Sequence, residues 1–290
     1  MNRGSPADSN LPPVIDVEIV ARDGGNPLTP DELAELRWAR HLLSRPGVAI
    51  RLANIVGAPI EKGLRLLPPS AARVVHRATR LALSHALRIA VHSLPDTPVP
   101  TPRNRFHRWL VGASGAVGGA FGLGALAVEL PVSTTLILRS IAQIAASQGH
   151  RLSALETRLA CLEVFALGGD TTADNAAETS YWAVRAALGR LVTEAASSLA
   201  GRAASLDATP AAVRLVAAVS ARFGLVVSEQ VAAKAVPVVG AAAGAAINVA
   251  FMNHFQLMAE GHFIVRRLER QYGTETVRQA YESLSQSSDS

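Results

Sequence analysis

"VPVVGAAAGAAINVAFMNHFQLMAEGHFIVRRLERQYG" occupies residues 236–273, and its reading decides the fold. Pro237 is placed to open a helix and Gly273 to stop one near Tyr272. No charge occurs from Ala235 to Ala259, which is long enough for a membrane span of about 20 residues. Asn248, Asn253, His254 and Gln256 would, however, meet lipid one turn after another. Glycine and alanine also make a weak stop-transfer segment. A second run, "LVGASGAVGGAFGLGALAVELP" (110–131), poses the same question, with Glu129 the only charge between Trp109 and Leu138. Gly115/Gly119, Gly118/Gly122 and Gly240/Gly244 are each spaced so that two helix backbones can approach closely. A buried helical hairpin made of the two runs is favoured over shallow insertion and over true spans, and Glu129-Leu130-Pro131 is expected to break the first run.

Working outward, the composition supports an all-α fold. Half of the 290 residues are hydrophobic but only 4% are aromatic, and alanine and leucine are the strongest helix formers. No segment alternates with period two for long enough to be a strand, and no repeat is evident. The expectation is one bundle-like domain of about nine helices over 29–285, between tails at 1–28 and 286–290. Thr29-Pro30-Asp31-Glu32 is a capping box opening the first helix, and Ser153 to Glu156 reads as a second. Helical spacing continues over 47–67 and about 70–94. Pro131 is expected to begin a helix running to Gly149, Thr171 or Thr172 to cap one reaching Leu199, and Thr209-Pro210 to begin another.

The chemical motifs are thin. Gly122-Leu123-Gly124-Ala125-Leu126-Ala127 matches a dinucleotide fingerprint, but no strand precedes it and no acid follows at the required distance. There is no P-loop and no nucleophile elbow. The lone Cys161, in an apolar stretch, reads as a small buried hydrophobe and excludes an intrachain disulfide. His85 with His92, and His254 with His262 near Glu260, share helix faces without a metal-site motif. No metal and no cofactor are therefore expected, and no catalytic residue is named.

Charge is more informative. Residues 62–128 hold nine basic side chains against the single Asp96, whereas the flanking segments are slightly acidic. Arg73, Arg77, Arg80 and Arg88 form one stripe, and Val74, Ala78, Leu81 and Ile89 are expected on another face. Arg103, Arg105, Arg108 and Trp109 add a basic and aromatic flank of the kind found at a cytoplasmic interface. Such a pattern suits an anionic membrane surface, and no nucleic acid is favoured because base-reading modules and interleaved aromatics are missing. No apolar leader follows the N-terminus, so a cytoplasmic protein peripheral to the inner face of the cell membrane is expected. The competing reading is a ligand site or enzyme built on polar residues inside apolar helices, Glu129, Arg139, Asn248 and His254, which need partners.

Three patterns occur in order that together resemble the EcsC family. They are Gly122, Gly124, Glu129, Pro131, Arg139 and Gly149, then Pro237, Gly240, Gly244, Ile247 and Asn248, then Arg267-Leu268-Glu269 with Tyr272-Gly273. Glu129 departs from the more usual aspartate but keeps the carboxylate. The resemblance covers roughly residues 30–285 and implies a helical protein linked to membrane biology. Because the namesake is encoded beside the subunits of an ABC transporter, it also implies a membrane-protein partner such as a transporter. It supplies no catalytic residues.

Overall fold

The structure is a computed structural model that describes residues 28–44, 48–57, 59–92, 94, 126–168, 177–200, 209–235 and 241–286. Among these residues there are ten helices and no strand. They are α1 (Pro30–Leu43), α2 (Val48–Val56), α3 (Ile60–Leu66), α4 (Ala71–His92), α5 (Leu126–Ser147), α6 (Leu155–Leu167), α7 (Ala177–Ala200), α8 (Pro210–Ala235), α9 (Ala241–Tyr272) and α10 (Thr274–Gln286). The all-α expectation holds. Gly115, Gly118, Gly119, Gly122 and Gly240 lie outside the described residues, as do Arg103, Arg105, Arg108, Trp109, Thr171 and Thr172.

The architecture is organised on α8 and α9. α8 touches α2, α3, α4, α6, α7 and α9, while α9 touches α1, α2, α5, α6, α8 and α10. The few aromatics are concentrated where they meet: Phe165 of α6, Phe223 of α8, and Phe251 and Phe255 of α9 pack with ring centroids 4.9 to 6.0 Å apart. Each fully buried phenyl group contributes roughly 2 to 3 kcal/mol of burial. Small residues fill the rest and let backbones meet. A Cβ on Gly63 would lie 2.0 Å from the Ala232 carbonyl oxygen, so α3 and α8 touch main chain to main chain. α8 is also the one described helix long and apolar enough to cross a membrane, with half of its most apolar window buried. Neither run singled out by composition passes that test among the described residues.

Several boundaries depart from expectation for physical reasons. The 47–67 stretch is two helices, because Gly57 takes a left-handed φ of 65° and Pro59 precedes α3. α5 does not begin at Pro131 but runs through it from Leu126. Pro131 stands early in the helix, where the only carbonyl left without its amide donor is that of Ala127. Thr29 caps α1 as expected, its hydroxyl accepting from the Glu32 amide at 3.3 Å. Ser153 caps nothing: the N-cap of α6 is Ala154, and Glu156 turns instead to Arg266, at 3.3 Å. Cys161 is fully buried, and burial pushes its thiol up to about 12, as an inert core residue requires.

Candidate functional site

The four polar residues expected to cluster do not form one site. Glu129, in the first turn of α5, accepts from Asn248 Nδ2 at 2.8 Å and pairs with Lys234. Gln230 Nε2 in turn donates to Asn248 Oδ1 at 2.8 Å. The result is a polar brace joining α5, α8 and α9, with all four side chains largely or fully buried. Arg139 does not join them and is exposed; it lies ten residues along α5 from Glu129, roughly 280° around the helix. His254 is buried elsewhere on α9, where Nε2 donates to the Gly168 carbonyl at 3.0 Å and caps the end of α6. Burial pushes its imidazole down to about 4, so the ring is neutral. Gln230 and Lys234 went unnoticed, although two polar residues four apart on an apolar helix share one face. Gly244 is buried on α9 as the packing expectation requires, and α5 packs against α9.

A second polar constellation was missed. Glu163 is the only charge between Arg158 and Asp170, and α6 buries it completely. Its Oε2 lies 3.9 Å from His262 Nε2 and 3.7 Å from Arg266 Nη1, both on α9, and neither carboxylate oxygen has a hydrogen-bond partner among the described residues. Burial pushes Glu163 up to about 7; Arg266 and Arg185 oppose that, and Glu269 and Glu156 add to it. Tyr181 of α7 is 3.3 Å from His262 Nδ1. Assigned as donor, its hydroxyl leaves the remaining imidazole proton on Nε2, facing Glu163. Burial, then Arg185, Arg266 and His150, hold His262 well below the ordinary histidine range. One turn on from Tyr181, Arg185 grips Glu269 through both carboxylate oxygens, with Nη1 to Oε1 at 2.7 Å.

Glu163, Trp182, Arg185, Arg266 and Arg270 line a cleft of about 600 Å3 between α6, α7, α9 and α10. The buried Trp182 indole N–H also has no partner among the described residues. Chemically, the cleft offers hydrogen-bond donors, guanidinium groups and a carboxyl that exchanges its proton near neutral pH. The signal in the sequence was helical spacing: Tyr181 with Arg185, and His262 with Arg266 and Glu269. Among the described residues no three His, Cys, Asp or Glu side chains gather as metal ligands.

The exposed face of α4 is the third candidate. Arg73, Arg77, Arg80 and Arg88 all face solvent, as the stripe predicted. Val74 and Leu81 do not lie on a buried face: they are 37% and 58% exposed, beside the arginines. The buried side is built instead from Ala71, Val75, Ala78, Ala82, Leu83 and Ala86. His85 and His92 are exposed too.

A family model described as the EcsC protein family matches residues 35–268, which takes in α2 to α8 whole and most of α1 and α9. No curated protein and no solved structure matches the chain.

Proposed function

The chain belongs to the EcsC protein family, and from that premise we propose that it docks reversibly on an anionic membrane surface through the exposed face of α4. The observation that carries this reading is the joint exposure of Arg73, Arg77, Arg80 and Arg88 with Leu81 and Val74 on one helix. An amphipathic surface of this type seats its apolar side chains at the headgroup boundary while the arginines meet phosphates. Each basic residue near an anionic surface contributes about 1 kcal/mol, so four together give roughly a thousandfold enrichment. No acid occurs between Glu61 and Asp96 to offset them. The role is non-enzymatic docking at the cytoplasmic leaflet, where a membrane-protein partner such as a transporter would be at hand.

Vesicle co-sedimentation tests it. The protein is expected to pellet with phosphatidylglycerol-containing vesicles at low salt and to be released at high salt. Phosphatidylcholine vesicles should leave it in the supernatant, and the Arg77→Glu/Arg80→Glu double variant should lose the binding. Equal, weak binding to both kinds of vesicle would sink the reading.

A further inference from the structure

The turn between α3 and α4 presents an apolar tip framed by arginines. Leu66, the last residue of α3, is 55% exposed, and Pro68, Pro69, Ser70 and Ala72 are exposed after it. No charge occurs between Arg65 and Arg73, both of which are exposed, and the next turn of α4 adds Arg77. One exposed leucine is ordinary on a protein surface. What sets this turn apart is its backbone. Pro68 and Pro69 have no N–H to offer. The Leu67 N–H donates to the Leu64 carbonyl at 3.3 Å, and the Ala71 N–H to the Pro68 carbonyl at 2.8 Å. The Arg73 and Val74 N–H groups both donate to the Ser70 carbonyl, at 3.1 and 3.2 Å. A backbone that enters hydrocarbon must satisfy its polar groups internally, because lipid cannot. These donors need no water, so the tip can leave it at little cost. The tip is also held in place. Leu67 packs against the core, and Gly63, one turn earlier, brings α3 against the Ala232 carbonyl of α8.

We propose that Leu66 and the Pro68-Pro69 turn dip into the acyl boundary of an anionic bilayer and anchor the docking face of α4. The inference rests on the membrane reading of that face and adds to it the element that enters the lipid. Charge complementarity selects the occupant. Lys62, Arg65, Arg73, Arg77 and Arg80 are exposed along α3 and α4, and Glu61 is the one acid between Ile60 and Leu94. Even at full extension Leu66 would lie no more than roughly 18 Å from Ala71, and the hydrogen bonds of the turn shorten that reach. The tip and the first turn of α4 therefore meet one surface together. An interfacial element of this kind sinks roughly 5 to 10 Å into the boundary between headgroups and acyl chains. Arg65 and Arg73 then reach the headgroup phosphates while their aliphatic stems stay against the apolar layer.

Cys161 makes the test selective, because it is the lone cysteine and is fully buried. The full chain with Leu66→Cys takes an environment-sensitive nitrobenzoxadiazole label at that position. The same label on Gln279→Cys, at an exposed position of α10, serves as reference. On phosphatidylglycerol-containing vesicles the label at position 66 should shift to shorter wavelength and brighten. Lipids carrying a nitroxide near the top of the acyl chain should quench it, and the label at position 279 should show neither change. Leu66→Ser should weaken co-sedimentation about fivefold with unchanged salt dependence, since it removes apolar burial and no charge. Leu66 is exposed, so neither substitution disturbs the fold. Quenching at position 66 alone, together with the weaker binding of Leu66→Ser, establishes the insertion. Pelleting with a label at position 66 that is not quenched overturns it and leaves docking through α4 standing. Failure to pellet with anionic vesicles at all overturns both.

Discussion

Two buried carboxylates, Glu129 and Glu163, sit on neighbouring helices and are treated in opposite ways. Glu129 meets a lysine and an asparagine amide, and the asparagine is itself held by Gln230. Glu163 has the Arg266 guanidinium at 3.7 Å and the neutral His262 ring at 3.9 Å but, among the described residues, no hydrogen bond to either oxygen. A buried charge that is fully paired serves to fix the positions of the elements that supply its partners. One left short of partners costs stability, and a fold keeps it where something else is gained. The first region thus reads as construction and the second as a site.

The sharpest way to break this contrast is to unpair the brace. Lys234→Ala leaves the Glu129 carboxyl 10% exposed and, among the described residues, held by Asn248. A loss of about 3 kcal/mol is expected, at the low end of buried-pair disruptions because the pair is not fully sealed from water. Urea unfolding at neutral pH measures it. The double variant Lys234→Met/Glu129→Gln removes both charges while keeping an acceptor for Asn248, and should recover most of the loss. A cost below about 1 kcal/mol for Lys234→Ala would make the brace an ordinary surface pair.

The same contrast explains what the sequence did and did not disclose. Helix existence was legible, because alanine- and leucine-rich spacing and the Thr29 cap act locally. Glu129 and Asn248 were also legible as buried polar residues needing partners, since each stands alone in an apolar run. Their partners were not, because pairing depends on which helices pack together: Lys234 comes from 105 residues away. Which apolar residues of α4 are buried was not legible for the same reason, since α4 turns its alanines toward α5 and α8 and leaves Val74 and Leu81 outside. The cleft needed four helices to meet, and no single stretch announces it. Glu163 looked like one acid in a core helix.

Glu163→Gln sharpens the comparison from the other side, with an effect of opposite sign and at most equal size. The folded carboxyl is raised to about 7 from an ordinary value of 4.5, so the unfolded chain gives up the proton first as pH rises. The wild-type protein should therefore lose stability between about pH 4.5 and pH 7, relative to a variant that cannot ionise there. Glu163→Gln is expected to be near neutral below this window and stabilising by up to about 3 kcal/mol above it. His150 and His254, both lowered to about 4, push the other way: stability rises with pH between about 4 and 6.5. They do so in both proteins, so the difference between the two unfolding curves reports Glu163 together with His262, the lowered imidazole that faces it. A difference that does not change with pH would mean that Glu163 is partnered after all, and the contrast with Glu129 would collapse.

The smallest expected effect concerns the wall of the cleft. A helix interior ordinarily prefers alanine to glycine by about 1 kcal/mol, yet α7 keeps Gly189 where an added Cβ would touch nothing within 4 Å. Packing gives no reason for the glycine. In the core the reverse holds, for a methyl group on Gly63 would run into the Ala232 carbonyl. Gly189→Ala should thus stabilise the protein by about 0.5 to 1 kcal/mol, read as a higher urea midpoint at unchanged slope. Gly63→Ala should destabilise it. If Gly189→Ala instead costs stability, the cleft beside α7 is closed in solution.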